Sequence, residues 1–333
     1  MPDTRVHATQ VLPTEKRPEP SCFDSEQATH QNQTKSARRR NLVLALRFAG
    51  LSALLLALFS LVDLDLVRHH IASVPWAAIA AMITLQLGII MLASWRFVII
   101  ARAGGARIKL ADSASLTFGT TLANMTLPTG LAGDVGRVIL VQRFGLALKS
   151  ATAIGIFDRV IGLASLSVLV LVGILAEPAL IPIWVIVFVC LLSLACLCVL
   201  RSPHWFRTAR QRSEDRPAPD LRPIVPMAAA LSLTAHVISI LIAAVYLWGQ
   251  GAEVSFAQLL ALFPAVILAA SLPVSIGGWG AREVTAAAAF ATIGLSAPVA
   301  VTLAFLFGLT QLIAAGLGTT AFWIIAQRGH SQT

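Results

Sequence analysis

Three acids and three arginines fall in or beside apolar stretches of this chain: Asp134 with Arg137, Asp158 with Arg159, and Arg282 with Glu283. Ionisable groups at membrane depth are costly and usually functional. Arginine offers phosphate a planar fork of donors, and a carboxylate can hold that fork until a phosphate takes its place. The chemistry these residue types allow is recognition of an anionic, phosphate-bearing headgroup, with Arg137, Arg159 and Arg282 as the candidate cations. Equal numbers of acids and arginines also permit a self-neutralising cluster that only fixes helix packing, and both readings stand at this point. Asp134 and Arg137 are three apart and can pair on one helix face, whereas adjacent Arg282 and Glu283 point in different directions, which predicts partners on other segments.

The charges adjoin two interruptions of otherwise helical sequence. One runs Leu127, Pro128, Thr129, Gly130, Leu131, Ala132, Gly133, Asp134, Val135, Gly136, Arg137; the other runs Leu272, Pro273, Val274, Ser275, Ile276, Gly277, Gly278, Trp279, Gly280, Ala281, Arg282. Both fit LPxxxxGxxxR, between apolar helical segments. Proline removes a backbone donor and glycine accepts unusual dihedrals, so each stretch should break a helix and leave peptide groups without intrahelical partners. In hydrocarbon such groups are tolerated only against protein or in a wet cavity. Paired broken helices in corresponding halves are the pattern of transporters built from repeats, framing a site near the bilayer middle; a Pro-Gly kink that merely shapes packing is the plainer alternative. Asn124, just before the first break, can cap freed backbone groups or face a polar headgroup. His236 reads as a hydrogen-bonded packing residue rather than a proton relay.

Other chemistry finds little support. Cys190, Cys196 and Cys198 share one apolar segment with no clustered histidines, so neither a metal nor any other cofactor is expected. No phosphate-binding loop is present, and Gly294 to Ala297 only approximates a serine-protease motif, with His236 on the wrong side of it. An enzyme is not expected.

The elements that position these residues are membrane helices. The chain is 57% hydrophobic and 12% charged, against about 25% charged in soluble domains, which excludes a water-soluble core. Its formal charge of +9 sits in short runs between apolar stretches rather than on a continuous face, so nucleic acid is not an expected partner. Residues 1–41 read as a disordered cytoplasmic tail ending in Arg38, Arg39 and Arg40, and 42–62 as a first span. A second span is bracketed by Trp76 and Trp95, about 29 Å apart along a helix. Arg96, Arg102, Arg107 and Lys109 then mark a return to the cytoplasm. Further spans cover 151–176, 183–200, 224–248 and 299–325. The basic loop 201–223, with Pro217 and Pro219, is cytoplasmic.

The fold class expected is all-α, a polytopic transmembrane helix bundle of about six to eight spans, with the two Pro/Gly-broken segments in a pseudo-repeat. Regions 111–137 and 257–297 could each cross or re-enter, and charge parity favours re-entry for the first. The domain reading is a tail 1–41, a membrane domain 42–326 and a short C-terminal tail 327–333. Placement is in the cell inner membrane, multi-pass, with the N-terminus cytoplasmic.

At these residues the chain resembles the transmembrane region of lysylphosphatidylglycerol synthases and the related flippase-like inner-membrane family. The resemblance is carried by AsnMetThrLeuPro at 124–128 with Gly133, Asp134 and Arg137, by Asp158 with Arg159, and by 272–283 from Leu272 through Gly277, Gly278 and Gly280 to Glu283. It implies movement of lipids between leaflets. The family's soluble aminoacyl-transfer domain has no counterpart before Thr333, so synthase activity is not expected. The family often carries glutamate where Asp134 and Asp158 stand, which preserves charge and shortens reach. The expectation is a translocator of a phospholipid or lipid-linked headgroup, lined by Asn124, Pro128, Gly133, Asp134, Arg137, Asp158, Arg159, Pro273, Gly277, Gly278, Gly280, Arg282 and Glu283. The other class that fits is a non-catalytic partner of a lipid-modifying enzyme or lipid-carrier glycosyltransferase, docking through 201–223.

Overall fold

The computed structural model describes residues 64–127, 132–180, 182–201, 221–271 and 277–330. The expected tail 1–41, the first span 42–62, Pro128, Pro273, most of the basic loop 201–223 and residues 331–333 lie outside them. All regular structure among the described residues is helical: α1 (Leu64–Ala72), α2 (Trp76–Ala103), α3 (Leu110–Thr126), α4 (Ala132–Val141), α5 (Leu148–Ala176), α6 (Ile183–Arg201), α7 (Val225–Gly249), α8 (Phe256–Ser271), α9 (Ala281–Ala291) and α10 (Ala297–His330). Four of them, α2, α5, α7 and α10, are long and apolar enough to cross a bilayer, and α6 carries a shorter apolar stretch. The chain is a multi-pass membrane protein.

Local sequence sets the boundaries. Pro75 sits in extended geometry before α2, where its missing N–H costs nothing. Gly105, at φ 95°, takes the turn after α2 that a side chain would resist. A reciprocal cap starts α8: the Ser255 N–H donates to Gln258 Oε1 at 3.0 Å and the Gln258 N–H donates to Ser255 Oγ at 3.1 Å. Inside α8, Pro264 cannot donate to the Leu260 carbonyl. That carbonyl faces Gly173 of α5, where a Cβ would come within 2.5 Å of it.

One end of the bundle gathers Ala103, Ala106, Ile108, Leu146, Leu200, Leu221 and Val225 into a single apolar cluster. The segments that meet there carry Arg102, Arg107, Lys109, Arg143, Lys149 and Arg201, so this is the basic end. At the opposite end Ser73 donates to Gln250 at 3.1 Å, joining the start of α2 to the end of α7. The Arg107 N–H donates to the Phe144 carbonyl at 3.2 Å, so α3 and α4 enter and leave at the basic end. Their contacts run in reverse order, Gly133 against Thr120 and Asn124, then Arg137 against Thr117. At 1.5 Å per residue α3 is about 25 Å long and α4 about 15 Å, short of a bilayer of about 30 Å.

The second interrupted region is the mirror case. The Gln86 side chain reaches the Phe307 carbonyl, and Ala314 and Ala315 pack with Ile90 and Phe118, so α10 runs alongside α2 and also starts at the opposite end. With α7 ending and α10 beginning there, α8 and α9 form a hairpin from that end. Both interrupted regions therefore re-enter, from opposite ends. They meet inside: a Cβ on Gly277 would lie 2.7 Å from the Met125 Cα.

Exchanging α2, α3, α4 and α5 for α7, α8, α9 and α10 maps the helix packing onto itself. Thus α5 packs on α8 as α10 packs on α3, α2 on α10 as α7 on α5, and α2 and α7 pack on each other. Helices α1 and α6 follow the same exchange, α1 packing on α10 as α6 packs on α5. The pseudo-repeat expected from LPxxxxGxxxR is thus an inverted repeat, the arrangement that places broken helices at the repeat interface.

Candidate functional site

The charged residues divide into two groups, and Arg96, unrecognised as a site residue in the sequence, joins the first. Asp158 lies on α5, ten residues or about 15 Å from its start at Leu148. Its carboxylate is buried and clamped by two arginines. Arg96 of α2 donates from Nε to Oδ1 at 2.7 Å and from Nη2 to Oδ2 at 3.0 Å. Arg137 of α4 donates from Nη1 to Oδ2 at 3.2 Å. Arg96 also donates to Ser232 Oγ of α7 at 2.5 Å, and Arg137 to Thr117 Oγ1 of α3 at 2.8 Å. The Arg137 guanidinium lies 4.4 Å from the Phe97 ring centre, within range of the attraction of a cation to an aromatic face. Its Nε is buried without a hydrogen-bond partner. His236 shares a 3.2 Å hydrogen bond with the Gly162 carbonyl.

Arg159, next to Asp158 on α5, points elsewhere, since successive side chains on a helix are turned by about 100°. It pairs with Asp134 of α4, at side-chain exposures of 52% and 28%. On the same helix Val135 and Ile139 are exposed, so an apolar outer face flanks this pair at the rim of the bundle. The Asp134–Arg137 pair that their spacing allows does not form: each turns instead to a partner on α5, because that helix lies against α4 and presents both signs of charge to it.

The second group forms at the N-terminus of α9. Arg282 donates from Nε and Nη2 to Glu283 Oε1, at 3.2 and 3.1 Å, while Glu283 Oε2 accepts from the Gly280 N–H at 2.6 Å. This also corrects the sequence expectation, since Arg282 and Glu283 partner each other. Glu283 curls back to cap its own helix, and the long Arg282 side chain folds over it. The Arg282 guanidinium stands 4.7 Å from the Trp279 ring centre and presses on Gly308 of α10, where there is no room for a Cβ. Both motif arginines are thus held between a carboxylate and an aromatic ring. No ion pair joins the two groups among the described residues, so the six charges do not form one neutral cluster.

Gly133 and Gly278 hold the same motif position, and each approaches the preceding helix closely: Gly133 the Thr120 carbonyl, Gly278 the Ala270 carbonyl, which a Cβ would meet at 3.0 Å. Gly277, Gly278 and Gly280 have φ of 60°, 81° and 84°, which favours glycine. Pro128 and Pro273 fall outside the described residues. Asn124 accepts from the Gly133 N–H at 2.9 Å, so it caps α4 across the break. Asn124→Ala should cost about 0.5–2 kcal/mol, read as a drop in the unfolding midpoint in detergent.

The search of curated proteins found no match. The chain does match the family described as "Lysylphosphatidylglycerol synthase TM region" over residues 42–318. That span contains both hairpins, both arginine groups and every described helix but the last turns of α10, and this protein belongs to that family of membrane proteins.

Proposed function

We propose that this protein moves a phosphate-bearing lipid headgroup between leaflets and catalyses no chemical step of its own. The observation that carries this reading is the buried trio of Arg96, Arg137 and Asp158 beside the first re-entrant hairpin. Two guanidiniums at about 10 to 15 Å depth are costly to keep there, and they present donors in the geometry that phosphate oxygens accept. The half-exposed Arg159–Asp134 pair extends the polar surface from the trio to the rim, where a headgroup leaving the lipid layer would first meet charge. Hairpins re-entering from opposite ends suit passage, since each provides irregular backbone that can line a polar path from its own side.

The positive-inside rule makes the basic end cytoplasmic, with the N-terminus on the same side, in the cell inner membrane. On that orientation the trio loads from the inner leaflet. Leaflet-resolved lipidomics of membranes with and without the protein tests the reading. The expected result is a shifted inner-to-outer ratio for one phosphate-bearing lipid class. Unchanged ratios for every such class would overturn it and leave the partner role for a lipid-modifying enzyme.

A further inference from the structure

The two motif arginines occupy equivalent places in the repeats, but their charge surroundings differ. At the second hairpin one guanidinium faces one carboxylate, and both oxygens of Glu283 are engaged, one by Arg282 and the other by the Gly280 N–H. The formal sum there is zero. At the first hairpin Arg96 and Arg137 share the single carboxylate of Asp158, leaving a sum of +1. The neighbouring Arg159–Asp134 pair adds one charge of each sign and does not alter that sum. Arg96 and Arg137 keep 14% and 12% of their side-chain surface open, while Asp158 keeps 3%. What remains open in the trio therefore belongs to the arginine side chains rather than to the Asp158 carboxylate, and the buried Arg137 Nε–H has no acceptor.

Resting on the reading of the protein as a lipid translocator, we propose that Arg96 and Arg137 bind one singly charged phosphate, a phosphodiester, and that Asp158 stays between them and sets the charge accepted. One negative charge added to +1 gives a neutral buried site. A phosphate monoester or diphosphate brings two or more charges and leaves an uncompensated anion where solvent screening is weak. Asp158 acts in this account as a selector by charge: it lets the arginines hold a phosphodiester lipid and turns away doubly charged headgroups. The second hairpin, already neutral, holds no anion while the Arg282–Glu283 pair is closed.

Two short-chain lipids with identical tails test this on the full-length protein in detergent micelles at about pH 8, where a phosphate monoester carries close to two charges. Dihexanoyl phosphatidylglycerol should bind at least about tenfold more tightly than dihexanoyl phosphatidic acid. Asp158→Asn raises the sum to +2 and should reverse that order. Arg96→Gln lowers it to zero and should weaken the phosphodiester at least about tenfold. If Asp158→Asn does not fold, Ser232→Asp places a second carboxylate beside Arg96, lowers the sum to zero as Arg96→Gln does, and should weaken the phosphodiester at least about tenfold. Equal binding of the two lipids by the unaltered protein would overturn the proposal, as would an unchanged order in Asp158→Asn, or undiminished phosphodiester binding in Ser232→Asp where that variant stands in. Glycerophosphoglycerol, the same headgroup without tails, should bind at least about tenfold more weakly; equal affinity would overturn the lipid assignment. Charge-selective binding without leaflet exchange would remove the translocator reading alone, and leaflet exchange with no reversal of charge preference would remove this inference alone.

Discussion

Asp158→Ala is expected to cost about 3–5 kcal/mol of stability, the largest loss of any single substitution at the site. The carboxylate is the shared partner of Arg96 and Arg137, which contact it at 2.7, 3.0 and 3.2 Å. Removing it leaves two guanidiniums side by side in the bundle interior with, among the described residues, Ser232 and Thr117 to accept from them. The repulsion is added to the desolvation, and α2, α4 and α5 lose the group that ties them together. Arg159→Gln is the control: its pair with Asp134 is half exposed, and such pairs contribute about 0–1 kcal/mol. Denaturant or thermal unfolding in detergent should separate the two variants clearly. Similar small losses in both would mean that the Asp158 clamp does not form.

Gly133→Leu is expected to be nearly as damaging, by a different route. A Cβ at this position runs into the backbone carbonyl of Thr120, which is fixed within α3 and cannot step aside as a side-chain tip could. Opening the hairpin to make room costs about 1–3 kcal/mol. It also breaks the Gly133 N–H bond to Asn124, worth about another 0.5–1.5 kcal/mol. The functional consequence follows from the lever that α4 provides. Arg137 lies one turn beyond Gly133 on the same helix, so displacing the start of α4 moves its guanidinium off Asp158 and Thr117. Gly136→Ala, on the same helix with nothing within 4 Å of its would-be Cβ, should leave the unfolding midpoint and lipid binding close to those of the unaltered protein. Equal damage from both substitutions would contradict the close approach at Gly133.

Much of this architecture is legible in the sequence because backbone failure has a local cause. A proline followed by clustered glycines favours a helix break, so LPxxxxGxxxR marks both breaks and their relation as repeats in the sequence, whereas Pro264 alone leaves α8 continuous. Re-entry from opposite ends is less legible, since it depends on how many crossings separate the two breaks, and the parity of flanking lysines favours it for the first alone. Pairing of charges is not local at all. Asp158 and Arg159 are neighbours in sequence and face opposite surroundings, whereas Asp134 and Arg137 look paired by spacing and are drawn apart by α5. Arg96 was hidden by its neighbour: Trp95 reads as an interfacial anchor, which makes the next arginine a boundary residue. In the structure α2 continues to Ala103, so Arg96 lies about 10 Å inside the helix end and faces the interior. A basic residue followed by Phe97, Val98, Ile99 and Ile100 was the available signal that the span had not ended.

Leaflet exchange itself is the most direct measurement. Proteoliposomes carrying the purified protein and a headgroup-labelled phosphatidylglycerol are assayed for exposure of the label to an impermeant quencher. Empty liposomes and an Arg137→Gln variant are run beside them. Rapid loss of the protected fraction is expected with the unaltered protein, and a rate at least about tenfold lower when the motif arginine is neutralised. Exposure at the rate of empty liposomes, or exchange indifferent to Arg137→Gln, would contradict the translocator reading.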